Sequence, residues 1–177
     1  MLGRARPAQL KCGYSVPGGS PHLAAQLFKV MAGIGISNVA YDSVAALFTD
    51  LHSGKIQMMF PNAAAAKLHL KSSSLKALAV TSAGPSEQFP LLPTVESTLP
   101  GYSSEAVFAI LAPARTPPGT IRRLRMAIAR LLRKPDVKQQ ILTIGIEVVA
   151  STPGQLAATI KRDIHRMAKV FADIRGE

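Results

Sequence analysis

Along the first half of the chain, short apolar runs alternate with helical periodicities, the pattern of an α/β protein built on a sheet. Leu10–Ser15 predicts a first strand, followed by the loop Val16-Pro17-Gly18-Gly19-Ser20. With Ser20 as N-cap and Pro21 at the first helical position, a helix should run to about Ala32 and bury Leu23, Leu27, Val30 and Met31. Gly33 and Gly35 should end it. Ile36–Tyr41 predicts a second strand, Ser43 or Val44 to about His52 a second helix, Ile56–Phe60 a third strand and Ala63–Lys71 a third helix. The stretch LKALAVT at Leu75–Thr81 reads as the clearest strand of all. It opens into a connector, Ala83–Gly101, whose Pro85, Pro90, Pro93 and Pro100 restrict the backbone.

Beyond the connector the pattern changes. Ala106–Leu111 is apolar without alternation and closed by Pro113, which predicts a buried strand. A helix follows from Pro117 or Pro118 to Arg133, a shorter one over Pro135–Thr143, and Ile146–Val149 predicts a last strand. Thr152-Pro153-Gly154-Gln155 has capping-box spacing, and Leu156, Ile160, Ile164, Met167, Phe171 and Ile174 recur at intervals of four and three, predicting a terminal helix. The Pro-rich connector is thus the internal boundary. It separates a βαβαβαβ block, residues 10–105, from a strand-plus-helices tail, residues 106–177.

At 177 residues, the length suits one domain or two small lobes, and 47% apolar residues with 18% charged exclude a disordered chain. A single cysteine, Cys12, excludes an internal disulfide framework and a multi-thiolate zinc site. The longest apolar run, Ala106–Ala112, is far short of the ~20 residues of a membrane-spanning helix. Residues 1–9 carry Arg4 and Arg6 but no apolar stretch that would serve as an export signal. On that ground the chain would be cytoplasmic if its start is genuine.

The net charge of +11 raises nucleic acid as a partner, but its distribution argues otherwise. Eight basic residues against one acid lie between Arg115 and Lys138. On a helical wheel Ile121, Leu124, Ile128, Leu131 and Leu132 share one side, while Arg122, Arg123, Arg130, Arg133 and Lys134 share the other. This is the wet face of an amphipathic helix with no aromatic residues interleaved to stack on bases, so no specific nucleic acid is expected.

Candidate chemistry is sparse. None of His22, His52, His69 and His165 has another histidine four residues away, so no metal site and no cofactor is expected. Cys12 reads as a small buried hydrophobe. No nucleophile elbow, phosphate-cradling loop or paired-carboxylate motif is present, and an enzyme is not expected. The feature with a mechanism is Gly18-Gly19-Ser20-Pro21-His22 between a strand and a helix. Glycines admit close approach of a ligand to the backbone, and a helix start offers unpaired N–H groups and partial positive charge to an anion. The hydroxyl of Ser20 and the ring of His22 add donors. The plainer reading, a well-built helix start beside a surface histidine, stays open at this point.

Six ordered blocks carry a wider resemblance: GGSPHLA (Gly18–Ala24), VAYDSVAALFTDLHSGKIQMMF (Val39–Phe60), LKALAVTSA (Leu75–Ala83), LPTVE (Leu92–Glu96), LPGY (Leu99–Tyr102) and LAPARTPPG (Leu111–Gly119). From Leu10 to its C-terminus the chain resembles the Bug-type solute-binding receptors of tripartite tricarboxylate transporters. The resemblance implies a type II periplasmic-binding-protein-like α/β fold: one complete lobe at 10–105, with a hinge strand and helices of an incomplete first lobe at 106–177. It also implies a receptor that holds a small carboxylate, a di- or tricarboxylate or an acidic amino acid, and hands it to membrane permease subunits in the periplasm. Position by position, Gly19, Ser20 and His22 correspond to the family's anion loop. Tyr41 stands at the Tyr of its VPYKG segment, and Asn62 at the Asn of MFDN. The chain departs from the pattern at Val39-Ala40-Tyr41-Asp42-Ser43 and Met59-Phe60-Pro61-Asn62.

In the family an export signal and a first half-lobe precede the point matching Leu10, so a truncated form is expected here, self-associating through the uncovered faces of Ile121, Leu124, Ile128 and Leu131. A second reading places the same fold in a cytoplasmic effector-sensing or nucleic-acid-associated module.

Overall fold

The structure, a computed structural model, describes residues 10–72 and 74–175, which divide into two compact units. One comprises the described residues up to Ala106 together with the end of the last helix from Met167; the other is Val107–Arg166.

The first unit is organised by three parallel strands, β1 (Leu10–Tyr14), β2 (Ile36–Ala40) and β3 (Met58–Met59), in the order β2-β1-β3. Leu10 pairs with Ile36 and Tyr14 with Ala40, while Cys12 and Gly13 pair with Met58 and Met59 on the other side. Helix α1 (Ser20–Ala32) links β1 to β2, α2 (Val44–His52) links β2 to β3, and α3 (Ala63–His69) follows β3. Successive residues of a strand point to opposite faces, and β1 uses this to hold one helix on each side. Cys12 is buried with Ala25 of α1 and Ile36. At the next residue, a Cβ added to Gly13 would lie 2.6 Å from Ile56 Cδ1 and 3.0 Å from Leu47 Cγ of α2. Only a residue without a side chain lets α2 settle this close to the sheet.

Behind α1, a second cluster joins Leu27 to Tyr102 of the LPGY segment and to Val170 of the last helix, α6 (Pro153–Arg175). Tyr102 is fully buried; its hydroxyl donates to the Ala24 carbonyl at 3.0 Å, and its ring stands edge-on to Phe28. Burial pushes its phenol above the ordinary value. The Cys12 thiol is likewise pushed up to about 12, which leaves it an inert core residue.

The second unit contains α4 (Pro118–Leu132), α5 (Pro135–Thr143) and most of α6. The capping box predicted for α6 forms: Thr152 N–H donates to Gln155 Oε1 at 2.8 Å, and Gln155 N–H donates to Thr152 Oγ1 at 3.2 Å. On α4 the Arg122, Arg123, Arg130, Arg133 and Lys134 face is exposed, as its pattern predicts, and Leu124 and Leu131 are half exposed.

The strands show where pattern alone misleads. Leu75–Thr81 is no strand; it makes a single parallel bridge, Val80 with Thr94, through Val80 N–H to Pro93 O and Val95 N–H to Val80 O. Pro93 has no N–H to offer, so the ladder cannot extend. Ala106–Leu111 is neither a strand nor buried: Phe108 is 74%, Ile110 72% and Leu111 78% exposed. Among the described residues no strand runs beside it, and an apolar run cannot supply its own partner. Ile146–Val149 forms no strand for the same reason. The predicted third strand shrinks to Met58–Met59, and the third helix ends at His69. The N-cap of α1 is Gly19 rather than Ser20, which is already helical.

Candidate functional site

In a parallel sheet every strand points its carboxyl end the same way, so the loops that follow β1, β2 and β3 emerge at one edge. Those loops are residues 15–19, 41–43 and 60–62. Each delivers a helix N-terminus to that edge, and β1, in the middle of the order, has its neighbours leave on opposite sides. All five residues singled out from the sequence, Gly19, Ser20, His22, Tyr41 and Asn62, sit on these junctions.

The three helix starts differ in a way that matters for an anion. At α2, Ser43 Oγ accepts from Ala46 N–H at 3.2 Å; at α3, Asn62 Oδ1 accepts from Ala65 N–H at 2.8 Å. Both are side-chain caps that use up first-turn donors. At α1 the cap is Gly19, which has no side chain to offer. Leu23 N–H is taken by Gly19 O, Pro21 has no N–H, and Gly19 N–H is taken by Val16 O at 3.0 Å. The Ser20 and His22 amides donate to no protein acceptor among the described residues. Two unpaired N–H groups at the positive end of a 13-residue helix are suited to an anionic oxygen.

His22 holds this loop in place through its ring. Gly18 N–H donates to His22 Nδ1 at 3.0 Å, and the ring stacks on Tyr14, the last residue of β1, with centroids 4.1 Å apart. A nitrogen that accepts carries no proton, so the neutral ring is protonated at Nε2. Nε2 lies 3.3 Å from the Gln26 amide, one helical turn on, whose oxygen is buried without a partner when its nitrogen faces the ring. Turning Gln26 Oε1 towards the ring gives Nε2–H an acceptor. Burial holds the His22 imidazole below its ordinary value, which favours this neutral form. The ring is therefore a structural pin, and only the backbone amide of His22 remains for a ligand.

Tyr41 is also engaged. Its N–H donates to Tyr14 O at 2.9 Å, and its hydroxyl donates to Asp50 Oδ2 at 3.0 Å. The Lys55 ammonium, 3.1 Å from Asp50, and then the Tyr41 hydroxyl hold that carboxyl below its ordinary value. Burial and the Asp50 carboxylate push the Tyr41 phenol up. Sequence reasoning placed Ser43 at the start of α2, where it caps the helix, but missed Tyr14, Gln26 and Asp50. Of these, Gln26 four residues after His22 was visible as a spacing; the stack on Tyr14 and the reach of Asp50 needed the fold.

A parallel α/β layer that leaves the Ser20 and His22 amides without an acceptor among the described residues at its carboxyl edge is suited to a small anionic ligand, and comparison with known proteins points to one family. The chain matches the tripartite tricarboxylate transporter family receptors over residues 2–175, and it belongs to that family of solute-binding receptors, which are not enzymes. It is 30% identical over 171 residues to protein BugT of Bordetella pertussis, covering 96% of this chain and 52% of that one. Its structure is similar to that of Rpa4515 of R. palustris with adipate (TM-score 0.77, 30% identity, 96% of this chain and 57% of the other). It also resembles a TctC solute binding protein from Polaromonas (TM-score 0.83, 20% identity, 96% and 59%).

The fold is thus that of the periplasmic binding proteins, and the family is one of periplasmic receptors. The chain spans about half the length of most of the relatives it matches. An exception is a protein of Pseudomonas knackmussii, 28% identical, of which it covers 95%. Among the described residues no helix is long and apolar enough to cross a membrane.

Proposed function

We propose that this chain is the carboxylate-holding part of a solute-binding receptor that passes a small organic acid to permease subunits of a tripartite transporter, without chemistry. Residues 10–105 are read as the lobe that offers the anion site, and 106–177 as the hinge segment and helices of the other lobe. One observation carries the reading: of the three helix starts at the carboxyl edge, only α1 lacks a side-chain cap, and its Ser20 and His22 amides have no acceptor among the described residues. A carboxylate oxygen placed there would accept two backbone N–H bonds. The Ser20 side chain, exposed and without a hydrogen bond among the described residues, would add a third donor. Gly19 serves by letting the loop close on itself: an added Cβ would lie 3.1 Å from the Val16 carbonyl oxygen and 3.2 Å from Val16 Cβ. His22, Tyr41 and Asn62 act through position: the His22 ring pins the loop, Tyr41 ties the β2 junction to Asp50, and Asn62 caps α3.

The adipate bound to the R. palustris relative makes a dicarboxylate the first ligand to try. A thermal-shift titration of the chain with adipate should raise the melting temperature progressively with concentration, beyond a chloride control of equal ionic strength. Ser20→Asp, which places a negative charge at the helix start, should remove the response. A response that survives Ser20→Asp, or none to adipate, shorter dicarboxylates or citrate, overturns the assignment.

A further inference from the structure

His52 and His69 lie seventeen residues apart in sequence, yet the fold brings them together. Phe48 and His52 share a face of α2 at i, i+4, and the His69 ring stacks flat on Phe48, with centroids 3.6 Å apart and planes 8° from parallel. That stacking fixes the His69 plane and sets its centroid 5.7 Å from that of His52. Each histidine is the last residue of its helix, where the carbonyl ends favour a cation.

The hydrogen bonds around His52 determine which of its nitrogens is bare. Ser72 Oγ donates its one proton to the His69 carbonyl at 2.9 Å. In the 3.0 Å contact between Ser72 Oγ and Ser74 Oγ, the proton must therefore come from Ser74. Ser74 then has no proton left for its 2.9 Å contact with His52 Nδ1, so Nδ1–H is the donor there. In the neutral ring this leaves the lone pair on Nε2. A ring that donates through one nitrogen to a fixed oxygen and offers the other is the arrangement by which histidine ligands are oriented for metals. His69 has neither ring nitrogen in a hydrogen bond to protein among the described residues.

We propose that His52 and His69 together bind a divalent transition-metal ion of the zinc and nickel class, with water completing its coordination. An imidazole nitrogen sits about 2.0–2.1 Å from such an ion, so two rings sharing one have centroids about 4.5–6.5 Å apart, depending on the angle between them. The observed spacing lies in that range. Among the described residues no group of three or more His, Cys, Asp or Glu is placed to hold a metal, so the ion is held by two protein ligands and exchanges with solvent. This site lies at the C-terminal ends of α2 and α3, and it stands independently of the carboxylate reading.

Isothermal titration calorimetry of the whole chain with nickel chloride and zinc chloride, and magnesium chloride as the oxygen-preferring control, tests it. One equivalent of nickel or zinc should bind, and magnesium should not. Deleting either ligand, by His52→Asn or by His69→Phe, which keeps an aromatic ring on Phe48, should weaken binding about 100-fold, because the second imidazole acts as a tethered ligand. Ser74→Ala, which frees the His52 ring, should weaken it about 10-fold. Should a variant fail to fold, the parent chain still decides: substoichiometric nickel should broaden the ring proton signals of His52 and His69 and spare those of His22 and His165. Equal broadening of all four, or affinity unchanged in both ligand variants, overturns the site.

Discussion

The two units of the chain carry amphipathic helices of similar pattern and use them differently. In the unit that contains the sheet, the apolar faces of α1 and α2 close on β1 from opposite sides. Every hydrophobic residue that is fully buried among the described ones, from Cys12 through Tyr102 to Val170, belongs to it. In the unit at Val107–Arg166, α4 and α5 bury no residue fully, and Phe108, Ile110, Leu111, Ile144 and Val149 are all more than half exposed. The lesson is that an apolar stripe specifies a face but not what covers it. A sheet supplies a broad wall with its backbone already paired, whereas a lone extended segment has neither.

Side-chain truncation should sharpen this contrast most. Tyr102→Ala removes a fully buried ring and its bond to the Ala24 carbonyl, and should cost about 3–5 kcal/mol of unfolding free energy in urea. Leu124→Ala, at a residue 49% exposed, should cost less than about 1 kcal/mol. Equal losses would mean that the second unit is covered as well as the first. Next in size, Gly13→Ala forces a methyl group against Ile56 Cδ1 at 2.6 Å and Leu47 Cγ at 3.0 Å, and should cost about 1–3 kcal/mol as α2 is pushed off the sheet. An unchanged denaturation midpoint would mean that the sheet and α2 are not packed this closely.

Asn62 separates cap from ligand. Asn62→Ala should cost about 1 kcal/mol through loss of the bond from Ala65 N–H, and Asn62→Asp should restore it. A stability equal to the parent's in the alanine variant would show that the cap contributes nothing. The smallest effect is one of pH. Burial holds folded His22 below its ordinary 6.5, so on acidification the unfolded chain takes up its proton first. The stability linked to this residue is thus complete above that ordinary value and declines as the pH falls through it towards the folded-state value. Urea midpoints followed across this range should slope in the parent and slope less in His22→Asn. Equal slopes would remove His22 as the pin of the loop.

The helices were legible in the sequence because capping and periodicity are local. Ser43 ahead of α2, Gly33 behind α1, and Thr152 with Gln155 at α6 each state their role within one or two turns. Loop residues of the candidate site were legible as positions but not as contacts. Gly19 stood between a strand and a helix, yet nothing local showed that the His22 ring would turn back to Gly18, or that the Tyr41 hydroxyl would be spent on Asp50. The strands at Leu75–Thr81 and Ala106–Leu111 failed because a strand exists only with a neighbour, and the neighbour is remote in sequence.

What the sequence determined by itself was the order of elements, the helix ends and the basic outer face of α4, since each follows from spacing along one segment. Tertiary structure alone decided which apolar runs became strands, which helix start kept its amides free and which two histidines meet. Those outcomes depend on hydrogen bonds and packing between segments far apart in the chain.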